Sequence, residues 1–161
     1  MRKTIRKTTL SDLDRVMEIY ALARAFMRKT GNRTQWEDGY PPRSLIEKEI
    51  AAGRSFVIET ESGVHAVFSF LLGEDPTYRR IDGAWLSDGP YGTIHRIAGD
   101  GTLSGVFAAA VAFCQKVTLH LRVDTHEDNK IMQHVIEKSG FTRCGVILLA
   151  NGAPRVAFEK V

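Results

Sequence analysis

The chain has 161 residues, of which 43% are hydrophobic and 25% charged, and its formal net charge is +3. This is the composition of an ordinary globular protein, long enough to bury a sizeable core as a single domain over residues 1–161. The presence of only Cys114 and Cys144 argues against a disulfide scaffold. Lys and Arg are spread along the chain rather than clustered, which argues against nucleic acid as a partner.

The hydrophobic pattern also bears on location. The basic N-terminus is not followed by the apolar segment of a signal peptide. No apolar run approaches the ~20 residues that a membrane span needs. We therefore expect a cytoplasmic protein without membrane association.

The N-terminal third predicts a strand and two helices. Weak alternation over residues 3–9 predicts the strand, and an apolar stripe predicts a helix from Ser11 to a stop at Gly31. After a loop, a second short helix opens at Ser44, whose partner Glu47 completes an S-x-x-E capping box.

The middle of the chain changes to the period of strands. Residues 55–60 and 64–73 are strand-like and are separated by Glu-Ser-Gly, which predicts an antiparallel hairpin. An irregular segment over 74–90 then precedes another strand over 91–98.

The last third completes the expected fold. An apolar run over 106–116 predicts a helix buried against a sheet, and alternation over 117–125 predicts a strand. An amphipathic helix begins at Asn129, and two strand-like runs around Asn151-Gly152 predict a C-terminal hairpin. The element order predicts an α/β fold with a central mixed β-sheet flanked by helices and antiparallel at its ends.

A glycine-rich loop joins the strand over 91–98 to the apolar helix. Glycines allow a ligand to approach the backbone closely, and the free N–H groups at a helix start suit a phosphate. Gly99, Gly101 and Gly105 lie one residue off a dinucleotide fingerprint, and Asp124 ends the next strand. A dinucleotide-binding oxidoreductase and a simple tight turn therefore remain alternatives.

Two stretches carry a family resemblance: "TIHRIAGDGTLSGVF" from Thr93, and "DNKIMQHVIEKSGF", in which Asn129 opens a helix that ends Lys-x-Gly-Phe. On these residues the chain resembles the GNAT superfamily of acetyl-CoA-dependent N-acetyltransferases. The resemblance implies a GNAT-like acyl-CoA N-acyltransferase fold, with acetyl-CoA as co-substrate and no metal. It also implies a small-molecule or peptide amine as acceptor, which attacks the thioester directly in a ternary complex.

The resemblance assigns cofactor contacts to the glycine loop and to the strand before it. Backbone groups of this strand would bond the pantetheine arm and stabilise the thioester oxyanion, and the loop amides would cradle the pyrophosphate. The expected cofactor-binding residues are Ile97, Ala98, Gly99, Gly101, Thr102, Leu103, Ser104, Gly105, Val106, Phe107 and Asn129.

The acceptor amine must lose a proton, so a base is expected near the thioester. The candidates are His95, Asp124 and His126, which lie in or just after the two strands that would flank it. Each also has a plain structural reading, since buried polar residues are usually hydrogen-bonded. The acids and histidine of residues 124–128 lack the ligand spacing of common metal sites, so no metal is expected.

Large aromatic residues in irregular segments are costly to expose, so they cover a substrate, a partner chain or the core. As candidates for the acceptor pocket we take Trp36, Tyr40, Tyr78 and Trp85.

Two departures from the family pattern leave alternatives open. Phe107 replaces a small residue of the pyrophosphate loop, and Ile136 takes the place of the Tyr that protonates the leaving thiolate in many members. A non-catalytic member of the fold that binds CoA or a partner is therefore the second reading. A homodimer is also open, since dimers are common in such families.

Overall fold

A computed structural model describes residues 2–161, in which eight strands form one mixed sheet in the order β1-β2-β3-β5-β6-β8-β7-β4. The strands are β1 (Thr4–Lys7), β2 (Ser55–Thr60), β3 (Gly63–Leu72), β4 (Asp82–Gly83), β5 (Gly92–Gly99), β6 (Leu121–Thr125), β7 (Thr142–Leu148) and β8 (Pro154–Lys160). The helices are α1 (Leu13–Lys29), α2 (Arg43–Ala51), α3 (Val106–Cys114) and α4 (Lys130–Lys138). The predicted mixed α/β fold with flanking helices and a C-terminal hairpin is confirmed.

The helices cover opposite faces of the sheet, two on each face. Successive side chains of a strand point to alternate faces, so each strand contributes residues to both sides. Ile19 of α1 and Ile46 of α2 pack in one buried cluster with Val67, on what we call the α1/α2 face. Phe107 of α3 and Ile136 of α4 belong to a second buried cluster, on the α3/α4 face. The sheet therefore separates two cores.

The pairing between β5 and β6 is short. These strands form the only parallel pair in the described part of the chain, and they share two residue pairs, Gly92–Leu121 and Thr93–Arg122. Beyond them an opening through the sheet is lined by residues 94–99 and 123–125. A dinucleotide-binding fold needs several adjacent parallel strands, so the sheet does not support the oxidoreductase alternative.

A β-bulge shapes the β5 side of this opening. Val67 pairs with Ala98 and Ser69 with His95, which leaves one extra residue on β5. Arg96, inside the bulge, has a φ of 48°. Its carbonyl accepts a hydrogen bond of 2.9 Å from the Tyr20 hydroxyl, so α1 holds the bulge in place.

A buried ion pair lies at the paired end of β5 and β6. Nε of Arg122 donates to Oε2 of Glu159 at 2.6 Å, and its guanidinium lies 3.9 Å and 4.0 Å from the ring centres of Trp85 and Tyr91. Burial alone would raise the pKa of Glu159, but hydrogen bonds from His120 and Arg122 outweigh it and hold that pKa below its usual range. These contacts fix the closed end of the opening.

The strand predicted over 117–125 begins only at Leu121. The N–H groups of Val117 and Thr118 bond to the carbonyl of Cys114, so these residues continue the turn that ends α3. Leu119 is 70% exposed, and its place in the alternating pattern does not reflect a strand.

Two further boundaries differ from the prediction. The second helix begins at Arg43, after Pro42 in the extended conformation, so the box of Ser44 and Glu47 lies inside the first turn and does not open the helix. The segment over 74–90, predicted as irregular, contains the two-residue strand β4, which pairs with β7.

We predict that Gly92→Ala destabilises the fold where β5 and β6 pair. A Cβ at Gly92 would lie 2.5 Å from Cε1 of Phe70 and 3.1 Å from Cγ2 of Thr118. Such overpacking lowers the free energy of unfolding by about 1–3 kcal/mol, measurable by denaturant titration. Gly89→Ala is the control, since a Cβ at Gly89 would lie 3.4 Å from its nearest neighbour, Oγ of Ser87. Equal stability of the two variants would contradict the packing argument.

Candidate active site

A groove with a volume of about 1590 Å³ passes through the opening between β5 and β6 and reaches both faces of the sheet. Its α3/α4 lobe is lined among others by Leu103, Gly105, Val111, Met132, Val135 and Lys138. Its α1/α2 lobe is lined among others by Gln35, Trp36, Tyr40, Asp75, His95, Asp124 and Arg155. A ligand on one face can therefore meet a ligand on the other.

The glycine loop at the edge of the α3/α4 lobe is anchored by Asp100. Its carboxylate accepts hydrogen bonds from His65 at 2.8 Å, Arg15 at 2.6 Å, and both the N–H and the hydroxyl of Thr102. Burial alone would raise the pKa of Asp100, but the hydrogen bonds from Thr102 and His65 lower it to about 2. Thr102 thus braces the loop, and neither it nor Ser104 lines the groove.

The start of α3 presents free backbone donors to the groove. Gly105 precedes the helix with a φ of 69°, which favours glycine, and residues 106–108 follow in the first turn, where N–H groups have no acceptor within the helix. Nζ of Lys3 lies 3.9 Å from the position that a Cβ on Gly105 would occupy. The ring of Phe107 packs against Phe141 and is buried in the core, although Phe107 also contributes to the lining of the groove.

The open edge of β5 presents alternate backbone groups. Asp100 donates its N–H to the carbonyl of His65 at 2.9 Å, so its backbone groups point towards β3. Because backbone groups alternate in direction along an antiparallel strand, those of Ala98, two residues earlier, also point towards β3. Those of Gly99, between them, then face the opening, and Ile97 lies within the bulge, where the ladder is disrupted. Ile97, Ala98 and Gly99 all line the groove, and their expected cofactor contacts stay predictions.

His95 and Asp75 form a hydrogen-bonded pair in the α1/α2 lobe. Nε2 of His95 lies 2.9 Å from Oδ2 of Asp75, whose Oδ1 accepts from the N–H and the hydroxyl of Thr77. Burial alone would raise the pKa of Asp75, but the bonds from His95 and Thr77 lower it to about 2. Because this carboxylate only accepts, Nε2 carries hydrogen and the neutral ring keeps its lone pair on Nδ1.

Sequence reasoning missed Asp75, although a signal was present. Its Asp-Pro-Thr context is typical of a turn in which the acid side chain accepts from backbone N–H groups. The structure shows such a turn, with Asp75 capping a short 3₁₀ turn over Pro76–Tyr78. The pairing with His95, twenty residues later, has no local signal.

His126 lies outside the groove and is engaged at both ring nitrogens. Nδ1 accepts from the N–H of Asp128 at 3.0 Å, and Nε2 lies 2.9 Å from the hydroxyl of Thr34. No lone pair of the neutral ring remains for a substrate. His126 therefore joins two loops, and its expected role as a base stays a prediction that these contacts do not favour.

Asp124 and the four aromatic candidates divide between groove and core. Asp124, Trp36 and Tyr40 line the groove. Tyr78 and Trp85 do not: they pack together beside the buried ion pair, and the Tyr78 hydroxyl donates to Asp124 at 2.6 Å. Burial and the neighbouring Asp124 raise the pKa of Tyr78 well above its usual value. Tyr78 and Trp85 thus lie outside this groove and line a second, smaller cavity, and their expected place in an acceptor pocket stays a prediction.

Asn129 lines the groove while capping α4. Its Oδ1 accepts from the N–H of Met132 at 3.0 Å, and its Nδ2 donates to Oε1 of Gln35 at 3.1 Å. The carbonyl of Gln35 accepts from Arg155 at 2.9 Å. Sequence reasoning missed both residues, although an arginine amid the apolar residues of a predicted strand is itself a signal.

Two features are absent from residues 2–161, the part of the chain that the structure describes. No three side chains of His, Cys, Asp or Glu are grouped so as to hold a metal ion. No helix is both long enough and apolar enough to cross a membrane.

Comparison with models of protein families found no match, and comparison with curated proteins found none either. Among solved structures, the chain is similar to a GNAT-family acetyltransferase from Streptococcus agalactiae 2603, with 34% identity over 99% of this chain and 95% of that one, and a TM-score of 0.83.

Two more distant structures share the fold. A GNAT-family acetyltransferase from Listeria monocytogenes 4b F2365 is 20% identical over 98% of this chain and 94% of that one, with a TM-score of 0.72. One from Bacillus cereus ATCC 10987 is 20% identical over 99% and 97%, with a TM-score of 0.63. Given the extent and identity of the streptococcal match, the chain belongs to the GNAT family of acetyltransferases.

Proposed function

We propose that this acetyltransferase transfers the acetyl group of acetyl-CoA to a primary amine, which attacks the thioester directly while both substrates are bound. The observation that carries the proposal is the opening between β5 and β6. It connects the glycine loop on the α3/α4 face with the pair of His95 and Asp75 on the α1/α2 face.

The α3/α4 lobe suits acetyl-CoA. The free N–H groups at the start of α3 and the nearby ammonium of Lys3 would bind the pyrophosphate. The backbone groups of Ile97 and Gly99 would bond the amides of the pantetheine arm, and an N–H at this edge would stabilise the oxyanion of the thioester carbon.

His95 is the proposed general base. The amine nitrogen forms a bond to the acetyl carbon, one of its protons passes to Nδ1 of His95, and the carbon–sulfur bond breaks with its electron pair on sulfur. The imidazolium can then return that proton to the thiolate, which closes the proton balance without the tyrosine that Ile136 replaces. Asp75 is a positioning residue, because its bond to Nε2 keeps the lone pair on Nδ1.

The chemistry of the cysteines favours direct attack over an acyl-enzyme. Burial raises the pKa of the Cys114 thiol to about 12. Burial also raises the pKa of Cys144. The two thiols are therefore poor nucleophiles at neutral pH, and neither lines the groove.

The basic test is ligand-induced stabilisation followed by turnover. A ligand at about 100 times its Kd stabilises the fold by about 2.7 kcal/mol, so thermal shifts with acetyl-CoA, CoA and NADH compare the candidate cofactors. An amine panel with thiol release as readout then tests transfer. Stabilisation by NADH alone would refute the proposal, and acetyl-CoA binding without any turnover would favour a non-catalytic member of the fold.

We predict that His95→Gln lowers kcat by about 10²- to 10⁴-fold, the usual contribution of a general base, with little change in acetyl-CoA affinity. Steady-state kinetics and calorimetric titration measure the two quantities. His134→Gln is the matched control, since His134 is exposed on α4 and does not line the groove. An unchanged kcat in His95→Gln would remove His95 from the mechanism.

We predict that Gly105→Glu binds acetyl-CoA at least about tenfold more weakly than Gly105→Gln. Both variants strain the left-handed backbone at this position, but only Glu sets a negative charge beside Lys3 and the expected pyrophosphate. Titration of acetyl-CoA by calorimetry gives both affinities. Equal Kd values would show that the pyrophosphate binds elsewhere.

A further inference from the structure

Arg155 is a buried cation without a salt-bridge partner among residues 2–161. Its residue surface is 7% exposed, and it lines the groove. Nη1 donates to the carbonyl of Pro154 and Nη2 to the carbonyl of Gln35, each at 2.9 Å. No Asp or Glu oxygen of residues 2–161 lies within 4.0 Å of its guanidinium.

Arg122, the other buried arginine of the sheet, shows which contact Arg155 lacks. Arg122 is 4% exposed, and it pairs with Glu159 at 2.6 Å and stacks between two aromatic rings. A buried charge without such a partner costs free energy. Arg155, which borders the groove, therefore lacks the directly bonded carboxylate that Arg122 has, since Asp124 attracts it without a contact within 4.0 Å.

The hydrogen bonds of Arg155 also leave capacity for a ligand. A guanidinium has five N–H donors in a planar fork, and the two carbonyls use two of them. The remaining donors suit a planar carboxylate, which an arginine can bind through two parallel hydrogen bonds.

One negative group of the same lobe, the carboxylate of Asp124, lies close to Arg155. Ala157 pairs with Asp124 across β6 and β8, so Arg155, two residues earlier, points to the same face as a diagonal neighbour. Cα atoms of such neighbours are roughly 7–8 Å apart. The Tyr78 ring joins this group to the base, with its hydroxyl on Asp124 and its centroid 6.2 Å from the His95 ring.

We infer that the acceptor is a primary amine that carries a carboxylate, as a free α-amino acid does, and that Arg155 binds this carboxylate. The amino group then lies between Asp124 and His95, where His95 takes the proton that the group loses as it attacks. This inference rests on the proposed function but adds a class of acceptor, since amine acetylation alone requires no anionic group.

The test compares matched acceptors. Each amino acid is assayed with its carboxamide and its decarboxylated amine, for example phenylalanine, phenylalaninamide and phenethylamine. We expect kcat/KM for the acids to exceed that of both neutral forms by roughly tenfold to a hundredfold, the effect of hydrogen bonds to a charged group. Wild-type turnover of the neutral amines that equals that of the acids would overturn the inference and leave the proposed function intact.

Variants assign the preference to Arg155. In Arg155→Gln the ratio of kcat/KM between acid and amide should fall at least about tenfold, with a smaller fall in Arg155→Lys, which keeps the charge but loses the fork. Arg143→Gln is the matched control, because Arg143 is exposed on β7 and does not line the groove. An unchanged ratio in both Arg155 variants would overturn the inference.

A binding measurement separates this inference from catalysis. In the presence of CoA, an N-acetyl amino acid should stabilise the wild-type protein more than its amide, and Arg155→Gln should remove the difference. Circular dichroism checks that the variant is folded. Absence of a carboxylate-dependent shift in the wild type would overturn the inference, whereas absence of all amine turnover would overturn the proposed function.

Discussion

The early end of pairing between β5 and β6 is the constraint on which the rest of the molecule depends. A strand edge without a partner leaves N–H and C=O groups that must bond to water or to a ligand. Here that edge lies in the middle of the sheet, with Ile97 and Gly99 on one side of the opening. A ligand with its own amide groups can take the place of the missing strand. The opening lets a group bound on one face of the sheet reach a group on the other face.

The two lobes differ in the kind of group that they offer. The α3/α4 lobe presents backbone donors, which depend on the conformation of the loop and little on its side chains, and this explains why an unusual sequence can still suit a phosphate. The α1/α2 lobe presents the side chains of Asp75, His95, Asp124 and Arg155. Substitutions can therefore change the side chains of the α1/α2 lobe without disturbing the backbone donors of the α3/α4 lobe.

Local signals predicted most of the fold, because hydrophobic period, glycines and turn residues act over a few positions. They failed at Leu119, where alternation continued from a turn into a strand. The glycine loop and β5, which the sequence singled out, line the groove, but the contact of His126 with Thr34 and the pairing of His95 with Asp75 had no local signal. The first contact joins residues that are 92 positions apart in the sequence and the second joins residues that are 20 positions apart, so only the fold brings them together.

The ion pair of Arg122 and Glu159 has a consequence for how this sequence can vary. Glu159 has no exposed side-chain surface, and two aromatic rings enclose the guanidinium. Loss of either partner alone leaves a buried charge, at a cost of about 3–5 kcal/mol, whereas replacement of both by well-packed apolar residues can be neutral. The two positions are thus bound to change together, and relatives that keep the closed end of the opening should carry both charges or neither.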